Sequence, residues 1–171
     1  TSDYTNVTSA TYLWPNPGNI EAPAMWKSNG RYFMFGSHLS GWSPNDNEEF
    51  TMFVSYDTNN LQVYSYATSL SGPWSSWATF ATVGSNTYNS QTNFILPFGD
   101  GAIYLGDRWV SSNLMASTYV WLPLTISGTS ITMPNRVNWV PNVATGTWSV
   151  APSETSPEAV AQVLSNGAAT V

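Results

Sequence analysis

Apolar and polar residues alternate along this chain in short stretches, each bounded by Gly, Pro, Asn or Ser. That is the pattern of half-buried strands rather than of helices. Arg31-Tyr32-Phe33-Met34-Phe35-Gly36 predicts a strand entered through the turn Ser28-Asn29-Gly30. Phe50 to Tyr56 and Gln62 to Thr68 follow, joined by Asp57-Thr58-Asn59-Asn60, residues that suit a hairpin turn. Ala78 to Val83, Gln91 to Leu96, Ala102 to Leu105, Thr118 to Ile126 and Arg136 to Val140 complete the series. Strands this short and this frequent predict an all-β sandwich, barrel or propeller. From Pro152 onward aromatic residues stop, and Pro157 to Leu164 suits a short helix or a loose tail. A folded body over 1–151 and a flexible or short-helical tail over 152–171 are therefore expected.

An internal repeat narrows the choice of fold. One copy runs Glu21-Ala22-Pro23-Ala24-Met25-Trp26, Asn29-Gly30-Arg31-Tyr32-Phe33, Gly36 and Gly41-Trp42. The second runs Gln91-Thr92-Asn93-Phe94-Ile95-Leu96, Asp100-Gly101-Ala102-Ile103-Tyr104, Gly106 and Arg108-Trp109. Each has a polar head, an apolar strand, a Gly turn, an aromatic strand, a Gly and a Trp. A unit of four short strands in roughly 40 to 70 residues is a propeller blade. Glu21 and Gln91 would then occupy equivalent places in adjacent blades, both facing one axial pocket. At that spacing 171 residues make about two to three four-stranded blades, while closed propellers need about four. A partial propeller leaves edges bare, so completion by a second copy or by a missing partner segment is expected.

Composition changes the picture in three respects. Charged residues are only 8% of the chain against roughly 25% in ordinary domains. Ten acidic and four basic side chains give a net charge of −6, which leaves no electrostatic footprint for nucleic acid. No apolar run approaches the roughly 20 residues that span a bilayer, so no membrane partner is expected. With no Cys there is neither a disulfide framework nor a thiolate metal site. Ser, Thr and Asn make up about a third of the residues, beside 9 Trp and 9 Tyr. Neutral hydroxyl-rich surfaces with many aromatics suit secreted, extracellular sugar-handling proteins, because sugars stack on rings and hydrogen-bond to neutral groups. The same count also fits a β-rich extracellular domain whose Trp residues fill its core. Asn6-Val7-Thr8 is the one sequon, which makes Asn6 the candidate glycosylation site. The start at Thr1, without a basic and then apolar leader, reads as a mature or trimmed chain.

Glu21-Ala22-Pro23-Ala24 with its Gly-aromatic strand, Ser69-Leu70-Ser71-Gly72-Pro73-Trp74, and Gly106-Asp107-Arg108-Trp109 together resemble glycoside hydrolase family 43. Ser37-His38-Leu39-Ser40-Gly41-Trp42 with Asn89-Ser90-Gln91 points to its exo-β-1,3-galactanase-like branch. The resemblance covers roughly Tyr4 to Trp148 and matches the C-terminal half or so of a five-bladed catalytic propeller. It implies an inverting hydrolase of β-1,3-galactan side chains, without cofactor or metal. Inversion needs an acid on the leaving oxygen and, across the sugar, a group that activates water, the two roughly 6.5 to 9.5 Å apart. By resemblance Glu21 is the general acid, and Gln91 orients the attacking water or simply binds substrate. The family also draws a carboxylate from an earlier blade, for which this chain has no counterpart.

The remaining candidates each carry two readings. Trp42 and Trp109 end the repeats and either line a sugar pocket or fill the space between blades. Asp107 and Arg108 fix their own loop or reach sugar hydroxyls. His38 hydrogen-bonds locally or touches substrate, and it has no metal partners in the sequence. Leu39 stands where related sequences often carry a polar residue. Asp46, Glu48 and Glu49 read as a solvated acidic loop. The two functional readings are a galactanase-like enzyme and a truncated, non-catalytic propeller that binds glycans or partners, with oligomerisation expected for the second.

Overall fold

The structure, a computed structural model, describes residues 2–10, 20–38, 62–136 and 138–151. The first sheet is a four-stranded meander of β1 (Ile20–Ser28), β2 (Arg31–His38), β3 (Gln62–Ala67) and β4 (Ala78–Thr79). The second repeats it with β5 (Gln91–Phe98), β6 (Gly101–Arg108), β7 (Thr118–Ser127) and β8 (Ser130–Thr132). A two-stranded hairpin, β9 (Trp139–Asn142) with β10 (Thr147–Val150), follows. All strand pairing within these sheets is antiparallel. Over the described residues the architecture is an all-β partial propeller: two four-stranded blades and one further hairpin.

The repeat is a repeat of register. The β1–β2 pairs Glu21↔Ser37, Ala24↔Phe35, Met25↔Met34, Trp26↔Phe33, Lys27↔Tyr32 and Ser28↔Arg31 recur 70 residues later between β5 and β6. Both hairpins carry a bulge just after the head residue, between Glu21 and Ala24 and between Thr92 and Phe94. The first hairpin is closed by Asn29 and Gly30 with φ of 48° and 72°, the two left-handed positions that a two-residue turn of right-twisted strands requires.

The two blades pack face to face, chiefly along β1 and β5. Ala24, Trp26, Phe33, Phe35, Tyr64 and Phe80 of the first meet Ile95, Tyr104, Leu122 and Leu124 of the second in one buried cluster. Phe80 sits between them, edge-on to Phe35 at 5.4 Å and tilted against Tyr104 at 5.8 Å. Phe and Tyr dominate this core. Among the described residues Trp26 is the one buried tryptophan, whereas Trp109 and Trp121 are exposed. The expectation that Trp residues fill the core is therefore corrected for the described residues: Trp26 alone among them is buried in the cluster, and Phe, Tyr, Leu and Ile supply most of the rest. The opposite face of the second blade leaves Phe94 48% and Trp121 56% exposed.

Two strand expectations need adjustment. Ala78 to Val83 pairs as a strand only over Ala78–Thr79; Ala81 then makes a single parallel bridge to Met133, and Thr82 and Val83 turn outward. The strand expected over Arg136 to Val140 begins at Trp139 and runs to Asn142. It accommodates Pro141 because β9 pairs on one side only. The expected strand Phe50 to Tyr56, its turn Asp57–Asn60, the acidic loop of Asp46, Glu48 and Glu49, and the tail 152–171 lie outside the described residues.

Tyr104 yields a stability prediction. Burial pushes its phenol up from 10.0 to about 12. Its hydroxyl lies 3.1 Å from Ser90 Oγ, which donates to Thr87 O at 2.6 Å, so Tyr104 is the donor in that pair. Because the folded state favours the neutral phenol, this contribution is complete below about pH 10 and falls as pH rises toward 12. Unfolding free energy is expected to drop by roughly 1.4 kcal/mol per pH unit across that window. Tyr104→Phe should lack this slope in urea titrations at matched pH.

Candidate active site

The heads of the two inner strands meet. Gln91 Nε2 donates to Glu21 Oε1 at 3.0 Å and to Ser37 Oγ at 3.1 Å. Trp109 Nε1 donates to Gln91 Oε1 at 3.1 Å. Glu21 and Gln91 are half-buried, Ser37 is buried, and Trp109 is half in solvent. The cluster draws on both blades, with Glu21 on β1, Ser37 on β2, Gln91 on β5 and Trp109 just beyond β6.

Unusual backbone frames both heads. Ala22, directly after Glu21, has φ of 51°. Before Gln91, four consecutive residues, Asn86, Thr87, Tyr88 and Asn89, have φ of 48°, 50°, 56° and 64°. A run of left-handed non-glycine residues costs roughly 1–2 kcal/mol each and needs outside support. Three contacts supply it: Arg108 Nη2 donates to Tyr88 O at 3.0 Å, the Tyr88 hydroxyl donates to Met133 O at 2.8 Å, and Ser90 Oγ binds Thr87 O.

Gly36 adds a second constraint. A Cβ there would clash with Ile20 Cγ2 and stand 3.2 Å from Glu21 O. Gly36→Ala is expected to push the Glu21 strand head out of place while the blade core persists. The Gln91 side-chain amide resonances should then shift strongly with only a small change in unfolding midpoint; unchanged resonances, or a large loss of stability, would argue against a local effect.

The sequence candidates divide clearly. Glu21, Gln91 and Trp109 come together. Arg108 turns toward the Tyr88 carbonyl, and Asp107 Oδ2 accepts from Asn93 Nδ2 at 2.8 Å, while Asp107 Oδ1 is buried without a hydrogen bond. His38 ends β2, its side chain outside the described set, and Trp42 lies outside the described residues altogether. Asn6 is exposed in the N-terminal segment. Ser37 was not a candidate. The signal that could have found it is the repeat itself, which sets Ser37 opposite Glu21 as it sets Asp107 opposite Gln91. Among the described residues no three metal-ligating side chains converge, and no helix is long and apolar enough to cross a membrane.

Solved structures share this arrangement of blades. An exo-β-1,3-galactanase from Phanerochaete chrysosporium, solved with galactose, is 38% identical at a TM-score of 0.74 over 89% of this chain and 32% of its own. An exo-β-1,3-galactanase from Clostridium thermocellum is 30% identical at 0.64 over 80% of this chain and 28% of its own. A family 43 β-1,3-galactosidase solved with galactodeoxynojirimycin is 25% identical at 0.53, over 67% and 30%. The chain belongs to glycoside hydrolase family 43. It spans about a third of the length of the galactanase chains, so it is part of a family 43 domain. No protein-family model matches the sequence, and no curated protein does. In this family 43 chain the Glu21–Gln91 contact is much shorter than the separation inversion uses, because the amide bridges directly to the carboxyl.

Proposed function

We propose that the chain supplies the acid and the water-orienting amide of a secreted, inverting exo-β-1,3-galactanase that releases galactose from β-1,3-galactan. The observation that carries this reading is the meeting of Glu21 and Gln91 at the heads of adjacent inner strands. Glu21 protonates the glycosidic oxygen as the bond to the anomeric carbon breaks. A water held by Gln91 attacks the anomeric carbon from the other face, its proton passes to solvent, and solvent returns a proton to Glu21 after each turnover. For this, sugar and water must enter between the two side chains and separate them. The exposed Trp109 ring offers a stacking face at the rim, and the scheme needs no cofactor. Secretion is supported by the hydroxyl-rich, charge-poor composition and the exposed Asn6 sequon.

One observation favours a second reading, a non-catalytic glycan-binding propeller. The direct 3.0 Å contact leaves no gap for an anomeric carbon and a water. Incubation with β-1,3-galactotriose, followed by proton NMR, separates the two readings. The enzyme is expected to release galactose first as the α-anomer. Binding without release would support the second reading, and absence of both would overturn each. Solution mass tests the pairing of two copies that a partial propeller invites.

A further inference from the structure

We propose that Trp109 and Ser37 are positioning residues that hold the Gln91 amide in a single orientation, its oxygen toward the indole and its nitrogen toward Glu21. The inference deepens the reading of Gln91 given above and rests on it for its catalytic meaning. A glutamine amide has one acceptor oxygen and two N–H donors, and its two flipped orientations fill nearly the same space. Here the partners decide. An indole N–H can only donate, so the Gln91 atom 3.1 Å from Trp109 Nε1 is the oxygen. The nitrogen then faces Glu21 Oε1 and Ser37 Oγ. Ser37 can accept because its own proton points at Glu21 O, 3.5 Å away, at the outer limit for such a bond.

A flipped amide would set oxygen against the Glu21 oxygen and N–H against the indole N–H. Both contacts would be repulsive, so each partner reinforces the other. With both N–H donors occupied, the free capacity of Gln91 is the second lone pair of Oε1. That lone pair is the acceptor available to a water or a sugar hydroxyl. The repeat explains why position 37 is Ser. The equivalent residue in the second blade is Asp107, and a carboxylate at position 37 would compete with Glu21 for the same amide nitrogen. Trp109 is 49% exposed, so little of the core depends on its ring.

The test uses the full chain labelled with 15N at glutamine side chains, of which there are three, Gln62, Gln91 and Gln162. The Gln91 pair is assigned by its loss in Gln91→Leu. Trp109→Phe keeps a ring and removes the donor. It is expected to move the Gln91 amide resonances and speed their solvent exchange tenfold or more, with the unfolding midpoint unchanged. Galactose affinity should fall about tenfold. Ser37→Ala should give a smaller change of the same kind, and Ser37→Thr should restore it. Unchanged Gln91 resonances in both Trp109→Phe and Ser37→Ala would overturn the inference. Should Trp109→Phe fail to fold, the Ser37 pair decides. Perturbed resonances in a chain whose wild type binds no galactose would uphold the positioning role and overturn the sugar-handling reading instead.

Discussion

On the proposed galactanase reading, Glu21→Gln is expected to cut galactose release from β-1,3-galactan by roughly 10²- to 10⁴-fold, the range that a positioned acid contributes. The substitution removes the one proton that the leaving oxygen requires and keeps the size of the side chain. It should also keep the local hydrogen bonds, since a Gln at this position can turn its carbonyl to accept from Gln91 Nε2 in place of the carboxyl. Galactose affinity is therefore expected to stay within about threefold and the unfolding midpoint to stay unchanged. This separates a chemical role from a structural one. Rates of release are read with β-1,3-galactotriose, affinity by calorimetry, and stability by urea. Activity retained in Glu21→Gln would remove Glu21 from the mechanism, whatever the behaviour of Gln91.

The largest effect on stability is expected at Phe35. Its side chain is fully buried, edge-on to Phe80 at 5.4 Å and tilted against Tyr64 at 6.2 Å. It lies in the interface between the blades, where rigid neighbouring strands cannot collapse into a void. Phe35→Ala should cost about 3–5 kcal/mol, transfer and cavity terms together. Domains of this kind hold only about 5–15 kcal/mol in all. The variant should thus show a large fall in urea midpoint or no folded state at 37 °C. Trp121→Ala, a larger truncation at a residue 56% exposed, should change stability by less than about 1 kcal/mol. A Phe35 variant as stable as the Trp121 variant would contradict the packing described for the core.

What could be read from the chain follows from how each feature is encoded. The blade hairpins were legible because Asn29-Gly30 marks a turn and because Gly36 and Gly106 keep the same distance from their heads. The same spacing puts Glu21 and Gln91 at equivalent strand heads. The left-handed turn at 86–89 was not legible. Its residues Asn-Thr-Tyr-Asn include no glycine, and the turn is held by Arg108, Ser90 and Met133, the last of which is far along the chain. The sequence leaves Arg108 open between a sugar ligand and a loop anchor; its guanidinium reaches the Tyr88 carbonyl, a contact that depends on tertiary packing alone. The end of β4 after Thr79 was likewise hidden, since the apolar run continues to Val83 while Ala81 leaves the antiparallel ladder for a parallel bridge to Met133.

The shared register of the two hairpins bears on the order in which the molecule forms. Each hairpin closes over a short turn, so its pairing can form within microseconds, the timescale of isolated hairpins. The bond between Glu21 and Gln91 joins residues 70 apart and exists only after two finished sheets have docked. Contacts of such long separation come late, because loop closure must precede any gain from them. The site is thus expected to be among the last parts to form. Substitutions at Gln91 or Trp109 should leave the folding rate nearly unchanged and appear, if anywhere, in the rate of unfolding.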